Sequence, residues 1–294
     1  MASESKPPAA TVTAENRQPP TVDRRKTPYV IDSAVTEKAR TLRALHERRP
    51  LVLPNVWDCA SAALAVRAGA EAVATTSGGV AWSLGRPDGE GLTSTDMIAA
   101  VLRIAATVAV PVTADVESGY GDVAATVRAV IEAGAAGVNI EDSRDGTLLP
   151  VGEQAERLAT ARKSAADAGL PELVLNARTD VHLLGTGDVL ERATAYAEAG
   201  ADCLFVPGLL DLTALRELVA VSPLPVNVMA APNGPSITDL AATGVHRISV
   251  GTAIAQAAYG LTERSIRELL TAGTYRSLAD APGYAEIDSL FRER

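Results

Sequence analysis

Residues 123–142, VAATVRAVIEAGAAGVNIED, hold one complete unit of the pattern that decides the fold. Val123, Val127, Val130 and Ile131 recur at three- and four-residue spacing, which predicts an amphipathic helix. Ala133-Gly134 closes it with the composition of a helix C-cap. Gly137–Ile140 then reads as a short buried strand that runs out in two carboxylates, Glu141 and Asp142.

The same unit recurs from residue 50 onward. Apolar runs at Leu51–Leu53, Ala72–Thr76, Val110–Ala114, Gly137–Ile140, Leu173–Leu175, Cys203–Val206, Pro225–Val228 and Arg247–Val250 give eight candidate strands. Helical spacing fills the intervals at Ala60–Ala68, Ser94–Thr107, Val123–Ala133, Glu153–Ala168, Val189–Ala199, Leu212–Val221 and Ile237–Ala242. Gly69, Gly134, Gly169, Gly200 and Gly244 stand at the helix ends, and Pro111, Pro171, Pro223 and Pro225 mark the turns that follow. Eight such units in roughly 250 residues are the arithmetic of an α/β fold of the (β/α)8 TIM-barrel type. A doubly wound open sheet competes, but the first turn reads Pro54-Asn55-Val56-Trp57-Asp58 and carries no glycine fingerprint. The ending, Pro282–Arg294, reads as an extra C-terminal helix available to a neighbouring subunit.

Composition removes several classes of function. The 294 residues carry 27 Lys+Arg against 36 Asp+Glu, a formal charge of -9, which disfavours a broad grip on nucleic acid or an anionic membrane. Aromatics make up 3%, too few for a base-stacking platform. Two cysteines, Cys59 and Cys203, build no disulfide framework and suit a reducing cytoplasm. Charges interrupt every apolar segment before the roughly 20 residues needed to span a bilayer. Residues 1–28 hold five of the 17 prolines amid Ser, Thr and charge, so residues 1–33 read as a disordered leader and 34–294 as a single catalytic barrel.

In a TIM barrel the chemistry stands where strands run out at their C-terminal ends. Asp115 and Glu117 lie two apart on an extended segment, and Glu141 ends the next strand. Three carboxylates at one mouth repel and protonate unless a cation sits among them; all-oxygen ligands favour Mg²⁺, with Mn²⁺ as a substitute. A lone Asp would be read as a helix cap or a partner for a surface arginine. Ser77-Gly78-Gly79 reads as a turn whose N–H groups can approach an anion. Arg178 suits bidentate grip of a substrate carboxylate, or equally a structural pair with Glu141 or Asp180. Asp58 and Asp88 are further candidate catalytic carboxylates, and Asn233 is a candidate substrate contact. His182 reads as a supporting hydrogen-bonding histidine, and both cysteines read as packing.

Taken together, these strand ends resemble the isocitrate lyase/phosphoenolpyruvate mutase superfamily over residues 40–294. The motifs are Pro-Asn-Val-Trp-Asp58, Thr-Ser77-Gly-Gly79, Leu-Gly-Arg-Pro-Asp88, Asp115-Val-Glu117-Ser-Gly-Tyr-Gly121, Gly137-Val-Asn-Ile-Glu141-Asp142 and Ala177-Arg178-Thr-Asp180. The resemblance implies that Asp115 contacts Mg²⁺ directly or through water, with Glu117 and Glu141 in its water shell. It implies a substrate carboxylate on Ser77, Gly78 and Gly79, Arg178 on the 2-oxo or 2-hydroxy acid end, and Asp88 as a site aspartate. It also implies a homotetramer, a dimer of dimers, that swaps its last helix between subunits.

The shared chemistry of that superfamily is formation or breakage of a bond next to a pyruvate-like enolate, with Mg²⁺ stabilising the oxyanion. An imine route needs a site lysine, and the only lysine after Lys38 is Lys163, on the helix after the fourth run. One departure stands out. Lyases of the superfamily carry Lys-Lys/Arg-Cys-Gly-His after the Glu-Asp, where this chain reads Glu141-Asp-Ser-Arg-Asp-Gly-Thr-Leu-Leu-Pro150. That segment is expected to form a gating lid with Arg144, Asp145 and Thr147 as candidates to touch substrate. The leading expectation is a Mg²⁺-dependent lyase or hydrolase that cleaves a C–C bond of a small 2-oxo or 2-hydroxy carboxylate. The alternatives are C–P chemistry, of the phosphoenolpyruvate mutase or phosphonopyruvate hydrolase type, and a ligand-binding barrel without catalysis.

Overall fold

The apolar runs assemble into one parallel sheet in a computed structural model that describes residues 31–48 and 50–292. In chain order its strands are β1 (Leu51–Leu53), β2 (Asn55–Val56), β3 (Val73–Thr75), β4 (Val112–Asp115) and β5 (Gly137–Glu141). A hairpin of β6 (Ser143–Arg144) and β7 (Thr147–Leu148) stands apart. The sheet resumes with β8 (Val174–Arg178), β9 (Cys203–Phe205), β10 (Val226–Met229) and β11 (Arg247–Ser249).

Nine paired segments run in the order β1-β11-β10-β9-β8-β5-β4-β3-β2, one more than the eight runs of the sequence. The extra segment comes from Pro54. Proline has no N–H to give to a ladder, and the first run changes partner there: Leu51–Leu53 pair with β11, and Asn55–Val56 pair with β3. The two ends of the sheet are thus one stretch of chain, and the ring closes as a TIM barrel. Asn55 seals the break. Its Oδ1 accepts the N–H groups of Val250 and Gly251 at 2.9 and 3.0 Å, and its Nδ2 donates to the Thr75 carbonyl at 3.2 Å.

Helices wrap the ring in chain order: α1 (Ser33–Glu47), α2 (Cys59–Arg67), α3 (Ser77–Ser83), α4 (Ser94–Thr107), α5 (Val123–Glu132) and α6 (Val151–Asp167). They continue as α7 (Val181–Leu184), α8 (Val189–Glu198), α9 (Leu212–Val221), α10 (Ile237–Ala241), α11 (Ala253–Ala272) and α12 (Tyr284–Ser289). Side chains stop the loops and start the helices: Asp58, Thr93, Asp122, Asp188, Asp211 and Ser236 each accept a first-turn N–H. Gly134 adopts φ +92° in the turn that leads into β5.

Four helices were not foreseen. α1 lacks a preceding strand, α3 opens on two glycines, α7 is a single turn, and α11 falls in the stretch after the last apolar run. Of the leader expected over residues 1–33, all but the last three residues lie outside those described; Asp32 caps α1 and Ser33 begins it. α1 buries Ala39, Leu42 and Leu45 under the barrel. Lys38 Nζ donates to the Val108 carbonyl at 3.0 Å and Arg43 Nε to the Glu172 carbonyl at 2.8 Å, so α1 closes the end where strands begin. Leu42 is the plug. A Cβ added at Gly137, the first residue of β5, would stand 3.0 Å from Leu42 Cδ2.

The barrel interior is not purely aliphatic. Asn176 Nδ2 donates to Asn139 Oδ1 at 2.7 Å and to Asn227 Oδ1 at 3.0 Å, and Arg247 Nη2 reaches Asn139 Oδ1 at 3.3 Å. This polar layer lies below the site described next, and burial lowers the Arg247 guanidinium to about 10. Leu42→Ala empties the plug position and is expected to cost about 2–5 kcal/mol, read as a lower urea midpoint at unchanged slope.

Candidate active site

Strand register brings the first charges together. Glu141 and Arg178 are direct partners across β5 and β8, and Arg178 Nη1 lies 2.8 Å from Glu141 Oε2. Asp180, two residues on, takes the other edge of the guanidinium, with Oδ1 2.6 Å from Nε and Oδ2 3.1 Å from Nη2. The Phe205 ring lies 6.0 Å below. Arg178 therefore makes both structural pairs that the sequence left open, and two of its five N–H donors remain beyond those bonds.

The pair rests on a residue the sequence passed over. Asp142 is fully buried beside Glu141 and accepts three bonds: from Asp180 N at 2.9 Å, Arg192 Nη1 at 2.8 Å and the Tyr196 hydroxyl at 2.7 Å. Successive side chains on a strand point to opposite sides. Glu141 thus meets the mouth while Asp142 pins the Asp180 backbone from behind. The signal available in the sequence was the doublet itself.

Asp115, ending β4, accepts the Ser77 N–H at 3.3 Å and the Glu117 N–H at 3.4 Å. Glu117 sits at φ +50° and accepts the Tyr120 hydroxyl at 2.8 Å together with the Glu90 backbone N–H. Glu90 was not anticipated: its Oε1 accepts the Ser118 hydroxyl at 2.5 Å and the Tyr120 N–H at 3.1 Å. Glu90, Glu117 and Tyr120 all hold positive φ, a concentration of backbone strain beside the mouth.

Ser77-Gly78-Gly79 is not the turn expected but the first turn of α3, whose cap residue Thr76 makes no side-chain bond. Its first amide, the Ser77 N–H, is the one that Asp115 accepts. The glycines are required by packing. A Cβ on Gly78 would come within 2.9 Å of Asp88 Oδ2, and one on Gly79 within 2.7 Å of Thr76 Cγ2. Ser77, Asp88, Glu117, Glu141 and Arg178 line one cavity of about 380 Å³. Asp115, Gly78 and Gly79 do not line it but adjoin residues that do, Asp115 through the Ser77 N–H and Gly78 beside Asp88, whereas Asp58 and Asn233 are placed elsewhere. The Asp58 carboxylate accepts the Ser61 N–H at 2.7 Å as the cap of α2, and Asn233 is exposed in the loop between β10 and α10. His182 lies exposed on α7, while Cys203 is buried and its thiol pushed up to about 12.

Burial raises all three mouth carboxylates. Glu117 is pushed up to about 7, although the bonds from Tyr120 and Glu90 oppose the rise. Glu141 reaches about 8 despite Arg178, with Asp115 and Asp180 adding repulsion. Asp115 moves up as well, chiefly through burial. Among the described residues, no three acidic, histidine or cysteine side chains converge tightly enough to ligate a stripped ion. An all-oxygen set in which one carboxylate touches the ion and the others act through its waters suits a hard cation such as Mg²⁺.

The sequence model described as phosphoenolpyruvate phosphomutase matches residues 42–270. The chain belongs to that family. It is 39% identical over 212 residues to an uncharacterised protein of Mycobacterium tuberculosis, a match that covers 70% of this chain and 80% of the relative. It is 34% identical over 198 residues to 2-methylisocitrate lyase of Escherichia coli, covering 62% of this chain and 66% of the lyase. Among solved structures, oxaloacetate acetylhydrolase in complex with the product oxalate superposes with a TM-score of 0.79 at 26% identity, covering 87% of this chain and 94% of that one.

The segment after Asp142 is the one expected to form a lid. It forms the hairpin β6–β7 across a two-residue turn, Asp145 (φ +50°) and Gly146 (φ +71°), the backbone a tight hairpin requires. Both feet are tied. Ser143 Oγ donates to Asp180 Oδ2 at 2.5 Å, and the Leu149 carbonyl accepts Arg192 Nη2 at 2.9 Å. Arg144 and Asp145 line the cavity, and Thr147 does not. A cation at the mouth competes with the protons on Glu117 and Glu141. Below pH about 7 and about 8 these acids hold protons that binding must displace. Mg²⁺ affinity is therefore expected to rise from pH 6 to pH 9 with net proton release, measured by calorimetry in buffers of different ionisation enthalpy.

Proposed function

We propose that this chain is a Mg²⁺-dependent enzyme that cleaves a C–C bond of a small 2-oxo or 2-hydroxy carboxylate, as a lyase or oxoacid hydrolase. The observation that carries the reading is the gathering of Glu117, Glu141, Arg178 and Ser77 on one cavity, with Asp115 bonded to the Ser77 N–H. When bound, the cation would stabilise the negative charge that develops on oxygen as the bond breaks. Arg178, fixed between Glu141 and Asp180, orients the substrate carboxylate by its free N–H groups. The N–H groups that open α3 receive carboxylate oxygen. Glu141 and Glu117, held near neutrality, can keep or release a proton at Oε within the working pH range. The acids named for the lyase and hydrolase relatives are of the same small, anionic kind.

Asp115→Ala is expected to reduce both Mg²⁺ binding and turnover, the latter about a hundredfold or more. Unchanged turnover in that variant, on any acid the native protein converts, would sink the reading. The family description favours a second reading, C–P chemistry on phosphonopyruvate. Turnover of phosphonopyruvate but not of oxaloacetate or 2-methylmalate-type acids selects it. Binding of all of these without turnover selects a non-catalytic barrel.

We also propose a homo-oligomer, a pair of dimers, in the cytoplasm. No helix among the described residues is long and apolar enough to cross a membrane. On the outer face of the barrel, Val52 of β1 is 43% exposed, in an apolar groove that also includes Leu64, Ile237, Val250 and Ile254. Along α11, Ile266, Leu269 and Leu270 are exposed too, the last at 81%. A second copy that lays α11 against this groove satisfies both surfaces. The ending itself, α12, is tied within its own chain by Arg67–Glu286 at 2.7 Å. Leu270→Asp is expected to lower the mass measured by sedimentation at micromolar concentration.

A further inference from the structure

Asp88 lines the cavity from an exposed loop and does nothing to hold itself there. Among the described residues no group bonds or pairs with its carboxylate. Its place is therefore set by its backbone. The loop leaves α3 with the Arg86 N–H on the Ala81 carbonyl at 2.9 Å and returns to the core at the buried Leu92. Between those anchors, every hydrogen bond that residues 87–91 make with the rest of the described chain passes through Glu90.

Glu90 engages the end of β4 in both directions. Its N–H donates to Glu117 Oε2, while its own Oε1 accepts the Ser118 hydroxyl at 2.5 Å and the Tyr120 N–H at 3.1 Å. The receiving segment is itself fixed. The Ser118 carbonyl accepts Arg157 Nη2, the Gly119 N–H donates to the Val116 carbonyl at 2.8 Å, and the Tyr120 hydroxyl donates to Glu117 Oε1 at 2.8 Å. Glu90 holds φ +57°, a conformation that favours glycine, with Gly89 and Gly91 on either side of it. A long carboxylate persists at such a position when side-chain bonds offset the strain, and here three bonds do so. The loop also turns back on itself: a Cβ on Gly91 would collide with the Pro87 carbonyl oxygen. Fixing Glu90 therefore fixes Asp88 across a single bend.

We propose that Glu90 is a positioning residue, which holds Asp88 at the cavity by clasping the loop between α3 and α4 to the end of β4. This rests on reading the cavity as an oxoacid site in which Asp88 is a catalytic carboxylate. Glu90 acts through the backbone rather than on the reacting atoms. Its side chain serves as a hydrogen-bond acceptor and not as a charge, because the Ser118 hydroxyl and the Tyr120 amide are both neutral donors. A carboxylate displaced by about 1 Å costs roughly a hundredfold in rate, so an aspartate without partners needs such a clasp. The same clasp engages Glu117, so that the loop and that carboxylate are placed together.

The test uses the full chain with Mg²⁺ and oxaloacetate. Glu90→Gly removes the side chain at a φ that glycine adopts freely, so the clasp is lost without added backbone strain. Amide hydrogen exchange in peptides spanning 86–92 and 118–121, read by mass spectrometry, is expected to quicken at least about tenfold. Unchanged exchange overturns the clasp whatever the substrate. The same variant is expected to lower kcat about tenfold to a hundredfold, with KM moved by less than about threefold. Glu90→Gln keeps an acceptor oxygen and is expected to restore kcat to within about threefold of the native value. A glutamine variant as slow as Glu90→Gly overturns the acceptor role. In an Asp88→Asn background, Glu90→Gly is expected to cost less than about twofold further, because the two act as one unit. The full loss repeated in that background overturns the route through Asp88. A native chain that converts neither oxaloacetate nor the other acids named above fails the oxoacid reading instead, and the exchange measurement then decides the clasp by itself.

Discussion

The mouth of this barrel is organised by the position of one guanidinium. Arg178 is held on one edge by Glu141, its register partner on β5, and on the other by Asp180, which the buried Asp142 fixes through its backbone N–H. A charge placed so deep needs partners on more than one side, because removing either would leave the other uncompensated in a low dielectric. The same arrangement holds Glu141 between opposing effects: burial raises it and Arg178 restrains the rise. What the site can do thus follows from strand register, which is set by the hydrophobic pattern of β5 and β8.

The barrel was legible because its signals are local and repeated. Apolar runs, helical spacing between them and glycine after five of the helices all follow from the chemistry of short segments. The carboxylates of the site were legible for the same reason, since a strand end is recognisable in one dimension. What escaped was relational. The role of Asp142 depends on Arg192 and Tyr196, about 50 residues on at 2.8 and 2.7 Å, and no spacing rule announces it. Glu90 joins the site only because its loop folds over Ser118 and Tyr120. Asp58 shows the converse: a carboxylate just after a strand is also the ideal cap of the next helix, and here it caps α2.

α3 shows how far a correct motif can be from a correct conformation. Ser-Gly-Gly reads as a loop because glycine is poor inside helices. Here close approach decides otherwise, with Asp88 and Thr252 crowding Gly78 and Trp57 and Thr76 crowding Gly79. Ser77 still lines the cavity, now as the first residue of a helix whose first N–H is given to Asp115. The hairpin β6–β7 makes a parallel case: Asp-Gly is a strong hairpin signal, and the segment read as a lid is folded back by its own turn.

The break at Pro54 has a consequence for how the chain reaches this state. The bonds that seal the ring join Asn55 to Val250 and Gly251, 195 and 196 residues away. Closing a loop of that length costs entropy that no earlier contact repays, so the first and last strands meet late and folding is slow for a chain of this size. During synthesis β1 leaves the ribosome long before β11 exists, with one edge of its backbone unpaired and Val52 outward. The brevity of the segment, three residues ended by a proline, keeps that waiting edge too short to template pairing with another chain.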